Sequence, residues 1–407
     1  MATLKNLTVN DTGFIQLPSG TTAERPGSPT AGMMRYNTTT ARNELYDGSK
    51  WVTLEGSTGQ ATGGSVTTAG GYRIHTFTSG NTTFTMPYAG VVEVLMVGGG
   101  GGGAGIGGGG GGGGFVYESQ VQLPAAGYSV TVGSGGGGEG THNNGGNVPG
   151  NTSSIISPAI PAQYQAIGGG RGLSYSRGAE SGARFGNGGS GGGGPGGHNN
   201  AEGGFWPQAP QGYGASPNNH WHQGPMVSIP HPWGSSNSNG RDQISMEGNG
   251  YGSGIVGQGH PGGFGAHGGG YDWAAGNTVI HAGGGGGGAG SSGKPTANSN
   301  THGTGGAGLA GQITGTVTRY AGGGGAGHHG PGNPGHYGIG GWHTPEAIAT
   351  AFGGGRAGIH PGNPEPARNG GTGGTNTGGG GGGGVHGSPD ASGPGGPGIV
   401  VIRYRDV

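Results

Sequence analysis

Recognition chemistry in this chain is concentrated in one stretch. Five of its six tryptophans, Trp206, Trp221, Trp233, Trp273 and Trp342, fall between residues 205 and 343. Most of its 16 histidines fall there too, in blocks such as FWPQAPQGYG, NNHWHQGP, IPHPWGSS, GYDWAAG and GHYGIGGW. With Tyr213, Tyr271 and Tyr337 these tryptophans form a candidate receptor-binding set. Aromatic rings give a large contact area at low entropic cost, and neighbouring Gly, Ser and Asn give adaptable polar contacts. Such rings also suit stacking on sugars. The structural alternative is that they fill loops and cap what the loops are built on.

Other chemistries fit the residues less well. His220-Trp221-His222 and His328-His329 have the spacing of transition-metal ligands on extended chain. There is no cysteine and few carboxylates lie nearby, so no metal is expected, with His220 and His222 the residues to watch. The stretch GAGSSGKP at 288–295 approaches a phosphate-binding loop, but Pro295 stands where Ser or Thr would hold magnesium. Glycan cleavage needs paired carboxylates. Glu202, Asp242, Glu247, Asp272 and Glu346 are dispersed and form no evident pair, so neither an enzyme nor a cofactor is expected.

Composition narrows the classes further. A net charge of -1 offers no basic field for nucleic acid. No stretch approaches the roughly 20 apolar residues that cross a bilayer, and the opening MATLKNLTVNDTG lacks the apolar region of an export signal. Hydrophobic residues are 28% of the chain, too few for one large ordinary core.

Glycine, at 119 of 407 residues, must therefore supply the architecture. It comes in blocks, the longest at 107–114 and 378–384, then 98–103 and 283–288, with shorter ones at 135–138, 191–194 and 322–325. Bare glycine lacks side chains to pack a helix or strand. It can form an extended three-fold helix of the polyproline II type, whose N–H and C=O groups point outward and need external partners. The natural partner is another such helix. The reading is a bundle of polyglycine II helices, with the non-glycine stretches as loops at its ends.

Strands frame this bundle. Residues 72–77, 83–86, 91–97, 115–117 and 128–132 alternate or run apolar, and 398–404 (GIVVIRY) is expected to return beside 91–97 and close a β-sandwich-like frame. The expected fold is mainly β without significant α-helix. Its parts are an N-terminal module at 1–57, a polar linker at 58–70, and a glycine-rich domain at 71–407. Within that domain, strands at 72–132 and 398–405 frame a glycine bundle and display loops at 133–397. In the module, strands near 33–37, 43–46 and 50–54 surround an Asp47-Gly48 turn. So small a meander is not stable alone. Tyr36, Leu45, Tyr46 and Trp51 are the candidate oligomerisation residues.

The segment GTTAERPGSPTAGMMRYNTTTARNELYDGSKWVTL resembles a short module near the ends of many bacteriophage tail-fibre and virion-associated proteins. The resemblance implies a virion or fibre context and commonly a homotrimer. The order VEVLMVGGGGGG, glycine tract, YSVTVGSGGGG, further tracts, then GGPGIVVIRY is similar to glycine-rich phage tail proteins and tail-tip adhesins. That resemblance implies glycine helices displaying host-binding loops. The combined expectation is a non-enzymatic tail-fibre or adhesin subunit of the virion, made in the host cytoplasm. Its partners would be copies of itself, other tail proteins and a bacterial surface protein or polysaccharide. A self-assembling filament without receptor role is the alternative, and a polysaccharide depolymerase a third.

Overall fold

The computed structural model describes residues 16–53, 60–105, 107–139, 148–160, 164–174, 186–194, 254–255, 257–263, 283–295, 303–327, 354–356, 369–384 and 391–405. It also describes the backbone of the short strands Met226–Val227, Ala266–Gly268, Ile280–Ala282 and His328–His329. The chain divides into two compact units, Met1–Gln60 and Ala61–Val407. Among the described residues it is mainly β, with no α-helix and none long and apolar enough to cross a membrane.

The first unit is a four-stranded sheet. β1 (Ser19–Gly20) lies parallel to β2 (Met34–Asn37), which pairs antiparallel with β3 (Arg42–Tyr46), and β3 pairs with β4 (Trp51–Thr53). The β3–β4 turn forms because Asp47 Oδ1 accepts the N–H groups of Ser49 and Lys50, while Gly48 takes a φ of 104°. That conformation is easy only for glycine. The interior is polar. Among the unit's described residues only Arg35, Asn37 and Glu44 are buried. Glu44 accepts from Arg25 at Nε (3.2 Å) and at Nη2, and from Asn37 Nδ2 (2.7 Å). These bonds satisfy groups that burial would otherwise penalise.

The second unit is framed by two antiparallel sheets. The five-stranded sheet runs β5 (Ser65–Ala69), β6 (Tyr72–Phe77), the terminal strand Ile399–Arg405, β8 (Gly90–Val97), β9 (Phe115–Leu123). The four-stranded sheet runs β12 (Tyr164–Ala166), β11 (Ser153–Ile156), β10 (Ala126–Thr131), β7 (Asn81–Met86). Phe77, Val94, Met96, Val400 and Ile402 from the first sheet bury against Phe84, Tyr128, Val130 and Ile155 from the second. The other face of the five-stranded sheet is also covered, where Ile74, Leu95, Val97 and Val401 pack with Ile313 and Tyr320. This two-sided burial explains the near-continuous apolar runs of β8 and the terminal strand. The terminal strand pairs with β8 as the sequence implied, and also with β6, so it is central.

Two sequence expectations need correction. The stretch expected as a linker, 58–70, belongs in its described part to the sandwich. Ala61 is 2% exposed in the core, Thr62 and Thr85 exchange backbone hydrogen bonds, and β5 pairs with β6. β5 is an edge strand with almost every side chain outward, so it carries no alternation to read. The frame also extends past residue 132, because β11 and β12 lie within the interval expected to hold only bundle and loops.

The glycine segments are joined by backbone hydrogen bonds of 2.7–3.1 Å. In 98–104 the donors address three neighbours in rotation. Gly98, Gly101 and Ala104 donate to Gly114, Gly111 and Gly108. Gly99 and Gly102 donate to Asn151 and Val148, and Gly100 and Gly103 to Gly396 and Gly393. Segment 107–114 repeats the pattern toward 167–173, 284–287 and 378–381, and its carbonyls accept from 98–104, from Ser190 and Gly193, and from Gly324 and Gly327. Three neighbours receive and three donate, which makes six around one segment. A side chain has no room there. A Cβ at Gly109 would stand 2.1 Å from Gly324 O, and one at Gly112 2.3 Å from Ala321 O.

Candidate functional site

The glycine segments have two distinct ends. At one end they run into the frame. β8 continues into 98–104, 107–114 leads into β9, β12 is followed by 167–173, and 391–398 leads into the terminal strand. Gly98 N–Gly114 O, Gly99 N–Asn151 O and Gly398 N–Gly133 O bonds tie them together there. At the opposite end another set of contacts gathers the segment tips. Ala104 donates to Gly108, Gly108 to Leu173, Ser392 to Glu139, Gly194 to Gly263, Gly284 to Gly194, Gly283 to Gly327 and Gly384 to Ala104. Glu139 is fully buried there and its carboxylate accepts the Gly105 N–H at 2.7 Å. The residues at this far end border the stretches 140–147, 175–185, 195–225, 264–265, 330–353 and 385–390. FWPQAPQGYG, GYDWAAG and GHYGIGGW follow segment ends on this far side, whereas NNHWHQGP and IPHPWGSS flank Met226–Val227, whose partner Gly254–Ile255 is tied to Gly189 and, through Gln258, to Phe115 at the frame end.

The eight candidate receptor residues, Trp206, Tyr213, Trp221, Trp233, Tyr271, Trp273, Tyr337 and Trp342, lie outside the described residues, as do His220 and His222. What the structure describes is the scaffold that the flanking segments provide. Among the described residues no group of three His, Asp or Glu could hold a metal ion.

The four candidate oligomerisation residues do not share one surface. Register places Met34 opposite Leu45 and Leu45 opposite Val52, on the same face as Tyr36. Met34 is 45% and Tyr36 38% exposed. Tyr46 and Trp51 pair on the other face with ring centroids 5.4 Å apart, and the Arg35 guanidinium sits 6.0 Å from the Trp51 ring. The Arg25 bond holds the Glu44 carboxyl below its ordinary range, against the opposing push of burial. Sequence reasoning missed this ion pair. Its signal was the pairing of Arg25 and Glu44 across a meander too small for an apolar core.

A surface cavity of about 420 Å³ lies on the five-stranded sheet, lined in part by Tyr72, Tyr88, Val91, Glu93, Arg403 and Arg405. The Arg403 guanidinium lies 4.4 Å over the Tyr72 ring and bonds Glu93 Oε2 at 2.8 Å, which also accepts the Tyr117 hydroxyl at 2.7 Å. Burial pushes the Glu93 carboxyl up, but these two bonds outweigh it and keep it ionised below its usual range. This network fastens β8 to the terminal strand and β9.

A family model described as a glycine-rich domain matches residues 75–314, and the chain belongs to that family. No curated protein matches the chain.

Proposed function

We propose that this chain is a non-enzymatic structural subunit of a phage tail fibre or adhesin that meets the host surface through its aromatic segments. The observation that carries the reading is the two-ended arrangement of the glycine segments. We take them as polyglycine II rods, because donor direction repeats every third residue, as a helix with three residues per turn requires. Rods without side chains carry no sequence-specific recognition, so recognition falls to what they hold. Of the stretches rich in Trp and Tyr, those with Trp206 and Tyr213, Tyr271 and Trp273, and Tyr337 and Trp342 follow segment ends away from the sandwich, while those with Trp221 and Trp233 flank Met226–Val227 nearer to it. Low charge leaves little electrostatic capture, and exposed Trp and Tyr most often dominate interface energy.

The N-terminal unit then serves self-association. It has no buried apolar residue among those described, and one sheet face presents Met34, Tyr36, Leu45 and Val52. A second and third copy would cover that face in a homotrimer. The same exposed face supports the filament alternative, which negative-stain images of the pure protein would separate by showing indefinite polymers.

The test is adsorption of fluorescent purified protein to a panel of bacterial strains and their isolated surface polysaccharides. Trp221→Ala or Trp233→Ala is expected to weaken binding by about 2 kcal/mol, as at a true hot spot, with the melting temperature unchanged. Normal adsorption by every Trp variant, or loss of adsorption only through unfolding, rejects the adhesin reading.

A further inference from the structure

We infer that β5 is a self-complementary strand edge, through which two copies of the chain pair antiparallel about Thr67. β5 and β6 are joined by the two-residue turn Gly70-Gly71, with φ of 57° and 77°. Positive φ at both positions marks the turn that closes a two-residue hairpin, so Ala69 and Tyr72 exchange backbone bonds across it. Bonded and non-bonded pairs alternate along antiparallel strands. Thr67–Ile74 and Ser65–Thr76 are then the other bonded pairs, and the N–H and C=O groups of Val66 and Thr68 point away from β6. Among the described residues no hydrogen bond reaches those outward groups.

The other three edges of the two sheets are protected. On β7, Thr85 exchanges backbone bonds with Thr62. At β12, the Gln258 side chain donates to Gln165 O at 3.0 Å and accepts the Ile167 N–H at 2.9 Å. β9 carries Glu118 and a register shift opposite Val92–Val94, and its Phe115 N–H donates to Gln258 O. Charges, bulges and covering groups of this kind keep strand edges from pairing. β5 has none of them. It holds no charge and no proline, its register with β6 is unbroken, and Ser65, Val66, Thr67 and Thr68 are all exposed, Val66 by 41%.

The positions of the outward groups select the partner. They fall one residue either side of Thr67. Laid antiparallel on itself with Thr67 on the two-fold axis, β5 sets Val66 opposite Thr68 of the second copy and Thr68 opposite its Val66. Every outward N–H and C=O then has a partner, in two bonded pairs. Thr67 meets Thr67 of the second copy as the non-bonded pair between them, and threonine and β-branched pairs across strands are favourable. The contact is the same patch on both chains, as a two-fold interface requires, and it joins two five-stranded sheets into one of ten. Five residues bury far less than the roughly 1,600 Å² of a standard interface. The edge therefore acts where chains are already concentrated or gathered.

Disulfide trapping in the full chain tests the proposal, because the chain has no cysteine and one introduced thiol reports one position. In a non-bonded pair the Cα atoms lie about 4.5 Å apart, within the roughly 4.4–6.8 Å that a disulfide spans. Concentrated Thr67→Cys, oxidised with diamide, is expected to run mainly as a two-chain species on a non-reducing gel. Ser65→Cys is the control. In this register its two copies stand four residues out of step, about 14 Å along the strand, and it should stay single. Thr68→Pro removes an outward N–H and leaves the ladder to β6 intact. Added to Thr67→Cys, it should abolish the two-chain band with the melting temperature unchanged. Should the proline variant fail to fold, Thr68→Lys, which puts a charge on the edge, takes its place. No two-chain species from Thr67→Cys, equal cross-linking of Ser65→Cys, or cross-linking that survives the blocked edge in a folded chain each overturns the assignment. The readout does not involve adsorption to cells, so it stands or falls apart from the adhesin reading.

Discussion

At Gly110 a methyl group has nowhere to go, because its carbon would lie 2.0 Å from Gly101 O and 2.6 Å from the adjoining carbonyl carbon. Both obstacles are backbone, and that backbone is itself hydrogen-bonded on other sides. Gly110→Val is expected to cost roughly 3 kcal/mol, the upper part of the overpacking range, read as a lowered calorimetric midpoint. Gly127→Val is the control, since its nearest neighbour would be Thr83 Cγ2 at 3.7 Å. Gly63 looks harmless in the sequence and is not. Its φ is 112° and an added carbon would stand 2.3 Å from Thr83 O. His75 makes a second residue-scale case. It is wholly buried, its Nδ1 lies 2.8 Å from Gly63 O, and its ring stacks on Tyr404 with centroids 5.7 Å apart. Burial holds its pKa below the ordinary 6.5, with Arg73 adding to the effect and the Gly63 bond opposing it. The unfolded chain then binds a proton that the folded chain refuses. This contribution to stability is complete above about pH 6.5 and is lost as the pH falls through that value toward the lowered one. Melting temperature should drop over that acid window, and His75→Gln should flatten the dependence.

Among the elements, the terminal strand was legible because GIVVIRY is apolar on both faces, and its position beside β8 followed from closing the frame. Its second neighbour, β6, was not legible, since alternation along Tyr72–Phe77 says nothing about which edge is paired. Deleting Ile399–Arg405 therefore removes the middle of a five-stranded sheet and opens two strand edges, on β6 and β8. The truncated chain is expected in the insoluble fraction, and a soluble product with an unchanged melting temperature would contradict the pairing. β5 escaped notice because its outward Ser, Val and Thr side chains show no buried face. That the glycine segments lie packed side by side was readable from their block lengths and recurrence. Their order around one another was not, because it rests on backbone bonds such as Gly103 N–Gly393 O that join residues far apart in the chain. Tyr36, Leu45, Tyr46 and Trp51 all read as oligomerisation residues in the sequence, and only register separates Tyr46 and Trp51 onto the opposite face.

For the whole molecule, the proposed self-association predicts a mass by light scattering that is a multiple of the 39.0 kDa chain. Tyr36→Asp puts a charge on the exposed face and should return the protein to single chains, with the β-sandwich still melting cooperatively. An unchanged mass would move the contact elsewhere. The rotation of donors around each glycine segment has a further consequence. On the proposed reading of these segments as polyglycine II rods, adding one residue within 107–114 would turn every later donor by about 120°, toward the wrong neighbour. Adding three would restore each direction and advance the tip by about 9 Å. The interior of this domain therefore has a reading frame of its own, counted in threes. The stretches beyond the far tips lie outside that count. On the adhesin reading, changes of length or composition there would leave the donor order within the described segments unaltered, so variation in recognition would be mechanically uncoupled from the scaffold.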